Sequence, residues 1–150
     1  MDLRDVMLVI HIAGAGTWLG ANMIQVVVPG LAARQGAEVA AGWYRVAGQL
    51  SKRLYMPASI LILITGLVMV LQDDSLSFGT LFVTIGFGMI VLGALLGIFI
   101  FDPGSEAVAE AVESGDQSRI KAATARIATF GTVDTLLLLF TMTAMVLRWT

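Results

Sequence analysis

The chain has 150 residues, of which 57% are hydrophobic and 13% charged, and its formal net charge is −2. That composition leaves little material for a water-soluble domain, and so small a charge offers nothing to nucleic acid, so no nucleic-acid partner is expected. With no cysteine, disulfides, cysteine-held iron–sulfur clusters and thiolate catalysis are excluded.

Four apolar runs, 6–28, 54–71, 78–101 and 127–147, are each long enough to cross the hydrocarbon, for which roughly 20 residues suffice. They predict an all-α, integral membrane four-helix bundle that forms one domain over residues 1–150, with the lipid bilayer as its first partner. The first run is preceded by Asp2 and Asp5, is long for a signal peptide and lacks a small-residue cleavage site, so it is expected to stay attached. On this run His11, Gly14, Trp18, Asn22, Gln25 and Pro29 fall within about 60° of one another at 100° per residue. A polar stripe of this kind faces the bundle interior, either as inter-helix glue or as the lining of a site.

Between spans one and two, Val39, Trp43, Val46 and Leu50 recur at helical spacing among charges, predicting an interfacial helix over 37–53 that runs into span two. Pro57 falls early in that span, where a first turn or a kink tolerates it. In span three Gly79, Gly86, Gly93 and Gly97 lie on one line, and Gly93 with Gly97 forms a GxxxG pair. Such a line serves packing within the bundle, a dimer seam or room for a planar cofactor. Asp102, Pro103 and Gly104 are expected to break the span, Ser105 to cap a second interfacial helix to Glu113, and Gly115 with Asp116 to turn the chain into a helix that continues to span four.

Lys and Arg set the orientation. Arg34, Arg45, Lys52, Arg53, Arg119, Lys121 and Arg126 lie in the two loops on one side, against Arg4 and Arg148 on the other. The expected location is the bacterial cytoplasmic (inner) membrane, multi-pass, with both termini outside the cytoplasm.

Two ionisable residues lie well inside the spans. Asp134 is costly near mid-bilayer, by about 2.5 to 3.5 kcal/mol on insertion scales, so something must compensate it. From the helical rise, Asp134 and His11 are expected some 12 Å apart in height, too far to bond. Trp18, Asn22 and Ser59 lie nearer the height of Asp134, and Arg45 or Arg53 could snorkel toward it to form an ion pair. The alternative is a protonatable relay. At the height of His11 lie Gly66, Met69, Gly86 and Met142, an imidazole with soft thioethers that could hold haem b or copper, His11 being the metal ligand.

Three segments carry a resemblance: His11-Ile-Ala-Gly-Ala-Gly-Thr-Trp18-Leu-Gly20, Lys52-Arg53-Leu-Tyr-Met-Pro57-Ala, and Val133-Asp134-Thr-Leu-Leu-Leu-Leu. With Thr65-Gly66 in span two, they resemble, over essentially the full length, a family of small bacterial integral membrane proteins of unknown function. More distantly, the 11–20 and 53–58 segments resemble the membrane-bound protoporphyrinogen oxidases, which implies haem b on His11, and the first of them resembles the copper-resistance protein D domain, which implies copper handling. The oxidases' second axial ligand is a lysine in a later span, and spans two, three and four contain none. The oxidase activity is therefore not carried over.

No complete catalytic motif accompanies the spans. The sequence thus supports a non-enzymatic bundle that forms a homo-oligomer or accompanies other membrane proteins in a larger complex. The alternatives are a haem or copper protein using His11, and a proton-coupled transporter or channel using Asp134, Asn22 and Gln25.

Overall fold

The computed structural model describes residues 2–150. Four long helices, each apolar enough to cross a membrane, make the bundle. The first is α1, Leu3–Gln35. The second joins α2, Ala37–Leu50, to α3, Met56–Gln72, through a π-helical turn at Ser51–Tyr55. The third joins α4, Leu81–Leu96, to α5, Asp102–Ser114, through a second π turn at Gly97–Phe101. The fourth is α6, Gln117–Val146.

The exterior of the bundle is its apolar side. Val26, Val91, Ile98, Phe99 and Leu136 are exposed, while Asn22, Thr65, Asp134 and Thr141 are buried. A water-soluble bundle would cover this surface with polar side chains, and the apolar exterior fits helices solvated by acyl chains. The span-one stripe faces inward as its spacing implies, with Gly14, Trp18 and Asn22 buried and His11 and Gln25 half-buried.

At 36 and 34 residues, the second and third helices are about 50 Å long, well beyond a hydrocarbon thickness of about 30 Å. The excess is α2 and α5, the helical segments foreseen in the two loops, and they pack on each other. Ala40, Ala41, Tyr44 and Ala47 of α2 meet Ser105, Val108, Ala109 and Ala111 of α5, all buried. This seam of small side chains lets the backbones approach closely: a Cβ added at Gly48 would sit 3.6 Å from that of Ser105. Arg45 Nη1 bridges Glu113 Oε1 at 2.6 Å across its exposed edge.

The expected break at Asp102, Pro103 and Gly104 does not occur, and Ser105 is a buried packing residue with no capping role. The π turn is the reason. A proline ring clashes with the carbonyl four residues back and lacks the N–H that would bond it. Widening the preceding turn removes the conflict, and the Asp102 N–H reaches five residues back to the Gly97 carbonyl. The same device precedes Pro57, where the Met56 N–H bonds the Ser51 carbonyl. Gly104 meanwhile makes room for Ile127 of α6, which lies 3.1 Å from where its Cβ would be.

Span three begins at Leu81, which leaves Gly79 in the 73–80 loop and outside the glycine line. Chain reversals fall at Gly36, with φ 119°, and at Gly115, whose left-handed φ of 70° closes α5. Asp116 then caps α6, accepting from the Ser118 and Arg119 N–H groups. The Ser118 hydroxyl and the Arg119 N–H are the main causes holding its carboxyl below the usual range. The cap's contribution is therefore present above that range and is lost as pH falls through the lowered value.

Candidate functional site: a buried carboxylate between two cavities

Between the helix pairs the spanning half of the bundle holds two cavities. One, of about 360 Å³, lies toward the termini and is lined by all four long helices, with His11, Gly66, Met69, Gly86, Met142 and Met145 on its walls. The other, of about 430 Å³, lies toward α2 and α5 and is lined by Trp18, Asn22, Gln25, Tyr55, Ser59 and Asp134 among others, with parts of both π turns. A layer of Trp18, Ile62, Met89 and Leu138 packs across the bundle between them. Ile62 borders the first cavity and Trp18 the second.

Asp134 is 3% exposed. Its Oδ2 accepts from Trp18 Nε1 at 3.1 Å and from Asn22 Nδ2 at 2.8 Å. The orientation of the Asn22 amide follows from its other partners. The Tyr55 hydroxyl donates to Asn22 Oδ1 at 2.8 Å, and Thr135 spends its proton on the Gly131 carbonyl, so it accepts from Asn22 Nδ2 at 3.1 Å. Every proton in the cluster is thus committed, and two donors converge on one carboxylate oxygen. The other oxygen, Oδ1, is buried without a partner. An unmatched carboxylate oxygen in a low-dielectric interior is expensive, and it accommodates a proton, a water or a ligand donor.

The ion pair expected between Asp134 and Arg45 or Arg53 is not made. Arg45 pairs with Glu113, and Arg53 is exposed on the first π turn. The compensation comes from neutral donors on α1, which meet the carboxylate without a guanidinium having to be desolvated beside it. Gln25 and Ser59 line the cavity but stay outside this network, the Ser59 hydroxyl donating to the Met56 carbonyl of its own helix.

Trp18 reaches Asp134 only because Gly93 lies opposite. A Cβ at Gly93 would overlap the indole ring, which also stands edge-on to Tyr55 at 6.2 Å. A Cβ at Gly86 would likewise overlap the Met145 side chain, whereas one at Gly97 would only touch Ser51 Oγ, at 3.4 Å. Of the GxxxG pair, Gly93 is therefore filled within the chain by Trp18.

His11 belongs to the first cavity and shares no hydrogen bond with Asp134. Thr65 donates its hydroxyl proton to the Leu61 carbonyl at 2.6 Å, so at 3.0 Å it accepts from His11 Nδ1. In the neutral ring the Nε2 lone pair is then left over. Gly66 provides the ring's seat, with Cε1 3.3 Å from where a Cβ would be. Met69 and Met142 share this cavity with His11 as their heights imply, and Met145 joins them. Among the described residues no three His, Cys, Asp or Glu side chains come together, so the donors gathered here are one imidazole and three thioethers.

Tyr55, Thr65, Thr135 and Met145 are not among the site residues expected from the sequence, although Tyr55, Thr65 and Thr135 stand in the segments that carry the resemblance. Comparison with known proteins adds no assignment: no family model, characterised protein or solved structure matches the chain.

Replacing Gly93 with alanine should displace the Trp18 ring and break its bond to Asp134. The expected cost is about 1–3 kcal/mol, the usual range for overpacking. Unfolding in detergent followed by tryptophan fluorescence should show a lowered midpoint, and an unchanged midpoint would show that the indole is not held there.

Proposed function

We propose that this chain is a carrier of the bacterial cytoplasmic membrane that moves a small solute with a change in the protonation of Asp134. The observation that carries the reading is the unpartnered Oδ1 of a carboxylate buried among four helices, on the wall of a cavity large enough for a small molecule. Support comes from the packed layer Trp18, Ile62, Met89 and Leu138, in which Trp18 borders the Asp134 cavity and Ile62 the one near the termini. Trp18 belongs both to that layer and to the carboxylate's hydrogen bonds, so a change of charge on Asp134 acts directly on the barrier.

Asp134→Asn preserves the size of the side chain and its oxygen acceptor but removes the titration. The variant should fold with near-native stability and lose Asp134-dependent proton movement in liposomes carrying an internal pH-sensitive dye. Undiminished proton flux in a folded variant would refute the reading.

The orientation we propose places the α2–α5 end in the cytoplasm and the termini outside, supported by the seven Lys and Arg residues of the two loops against Arg4 and Arg148. Since the chain has no cysteine, single replacements report cleanly. Ser77→Cys should react with an impermeant maleimide in intact spheroplasts, and Gln117→Cys only after permeabilisation. The reverse pattern would invert the topology.

A second reading is favoured by one observation, the grouping of His11 with Met69, Met142 and Met145 around one cavity. We propose on that ground a site for copper(I) or for haem b. Imidazole and thioether are soft enough for the first, and a His/Met pair serves as axial ligands for the second. Metal analysis and an absorption spectrum of the purified protein should then show copper or a Soret band that His11→Ala abolishes. A folded protein that takes up neither copper(I) nor haem on addition would remove this reading.

A further inference from the structure

The walls of the Asp134 cavity specify its ligand more closely than its size does. The only ionisable groups among them are Asp134, Tyr44 and Tyr55; no lysine, arginine or histidine from any packed helix lines the space. Four of its hydroxyl groups spend their protons on protein acceptors. Ser59 donates to the Met56 carbonyl, Thr132 to Ala128 and Thr135 to Gly131, each within its own helix, and Tyr55 donates to Asn22. With their protons spent, what these oxygens can offer a ligand is lone pairs. Oδ1 of Asp134 adds a further acceptor, and Trp18, Tyr44, Tyr55 and Phe101 supply aromatic surface. One unpartnered carboxylate oxygen and aromatic faces, with no lysine, arginine or histidine on the walls, disfavour an anionic ligand and suit a cation rich in N–H groups.

We propose that the ligand of this cavity is a monovalent organic ammonium ion, taken up in exchange for the Asp134 proton; the proposal rests on the reading of Asp134 as the group that titrates in transport. In the exchange the carboxyl O–H bond breaks and its proton passes to water. The carboxylate so formed accepts an ammonium N–H at Oδ1, while Trp18 and Asn22 continue to hold Oδ2. The remaining ammonium protons meet hydroxyl oxygens, and the organic group lies against the aromatic side chains. Binding and proton release are therefore two sides of one event, which makes the affinity depend on pH.

The test is calorimetric titration of the purified full-length chain in detergent, in buffers of different ionisation heat, with 2-phenylethylammonium, its neutral analogue 2-phenylethanol and the anion phenylacetate. The ammonium ion should bind with release of a proton. The alcohol and the carboxylate should bind at least about tenfold more weakly, because they forgo a charge-assisted hydrogen bond. Affinity for the ammonium ion should rise with pH, by at most about tenfold per unit, across the range in which Asp134 gives up its proton.

Asp134→Asn should lose both the binding and its pH dependence. If that variant fails to fold, the comparison of the three probes on the wild-type chain decides the matter alone. Equal binding of the alcohol, or equal competition by potassium, would overturn the proposal. Absence of ammonium binding in a chain whose proton flux still depends on Asp134 would overturn the ligand and leave the carrier reading standing. Flux that ignores Asp134 would overturn both.

Discussion

A carboxylate cannot be left unattended in the middle of a bilayer, and the interior of this bundle is arranged around that constraint. Asp134 draws Trp18 and Asn22 from α1 onto one of its oxygens. Asn22 in turn requires Tyr55 at the start of span two and Thr135 on α6. Trp18 requires a glycine at position 93 of α4. One carboxyl group thus gathers side chains from all four long helices around it. Hydrophobic burial cannot do this in lipid, where an apolar side chain gains nothing by leaving acyl chains for protein.

The network stops one bond short of completion. Structural polar clusters in membranes tend to saturate their members, because an unmatched group is costly and has no water to turn to. Here two donors converge on Oδ2 while Oδ1 faces no partner, and Ser59, Thr132 and Thr135 direct their protons to carbonyls of their own helices. The two π turns belong to the same region. Each relieves a proline clash, each contributes to the cavity wall, and each joins a spanning helix to the packed α2–α5 pair. Turns of this kind, with longer and less regular hydrogen bonds, are suitable places for the spanning half to move against that pair.

The spans and the inward stripe on α1 were legible in the sequence, because apolar run length and a 3.6-residue period depend on little else. His11, Met69 and Met142 reach one cavity because helical rise alone sets their height. The ion pair to Arg45 or Arg53 was misjudged because height and charge say nothing about who lies across the helix: Glu113 on α5 takes Arg45, and neutral donors on α1 reach Asp134 first. Tyr55 escaped notice because it ends a π turn, where the extra residue shifts the helical phase so that positions counted from α2 no longer project correctly. The same turn defeated the expected break at Pro103, since the rule that proline ends a helix assumes an α-helical turn before it. Gly79 was grouped with the packing glycines by spacing alone, but it precedes the first turn of α4.

The proposed carrier role requires Asp134 to exchange a proton with its cavity. Infrared spectroscopy of the protein in lipid, recorded across a pH titration and compared with Asp134→Asn, reads this at the carboxyl C=O stretch. A protonated-carboxyl band should be lost as pH rises, reappear when it is lowered, and be absent from the Asn variant. A wild-type spectrum in that region that is indistinguishable from the variant's at every pH, with both proteins folded, would contradict that role.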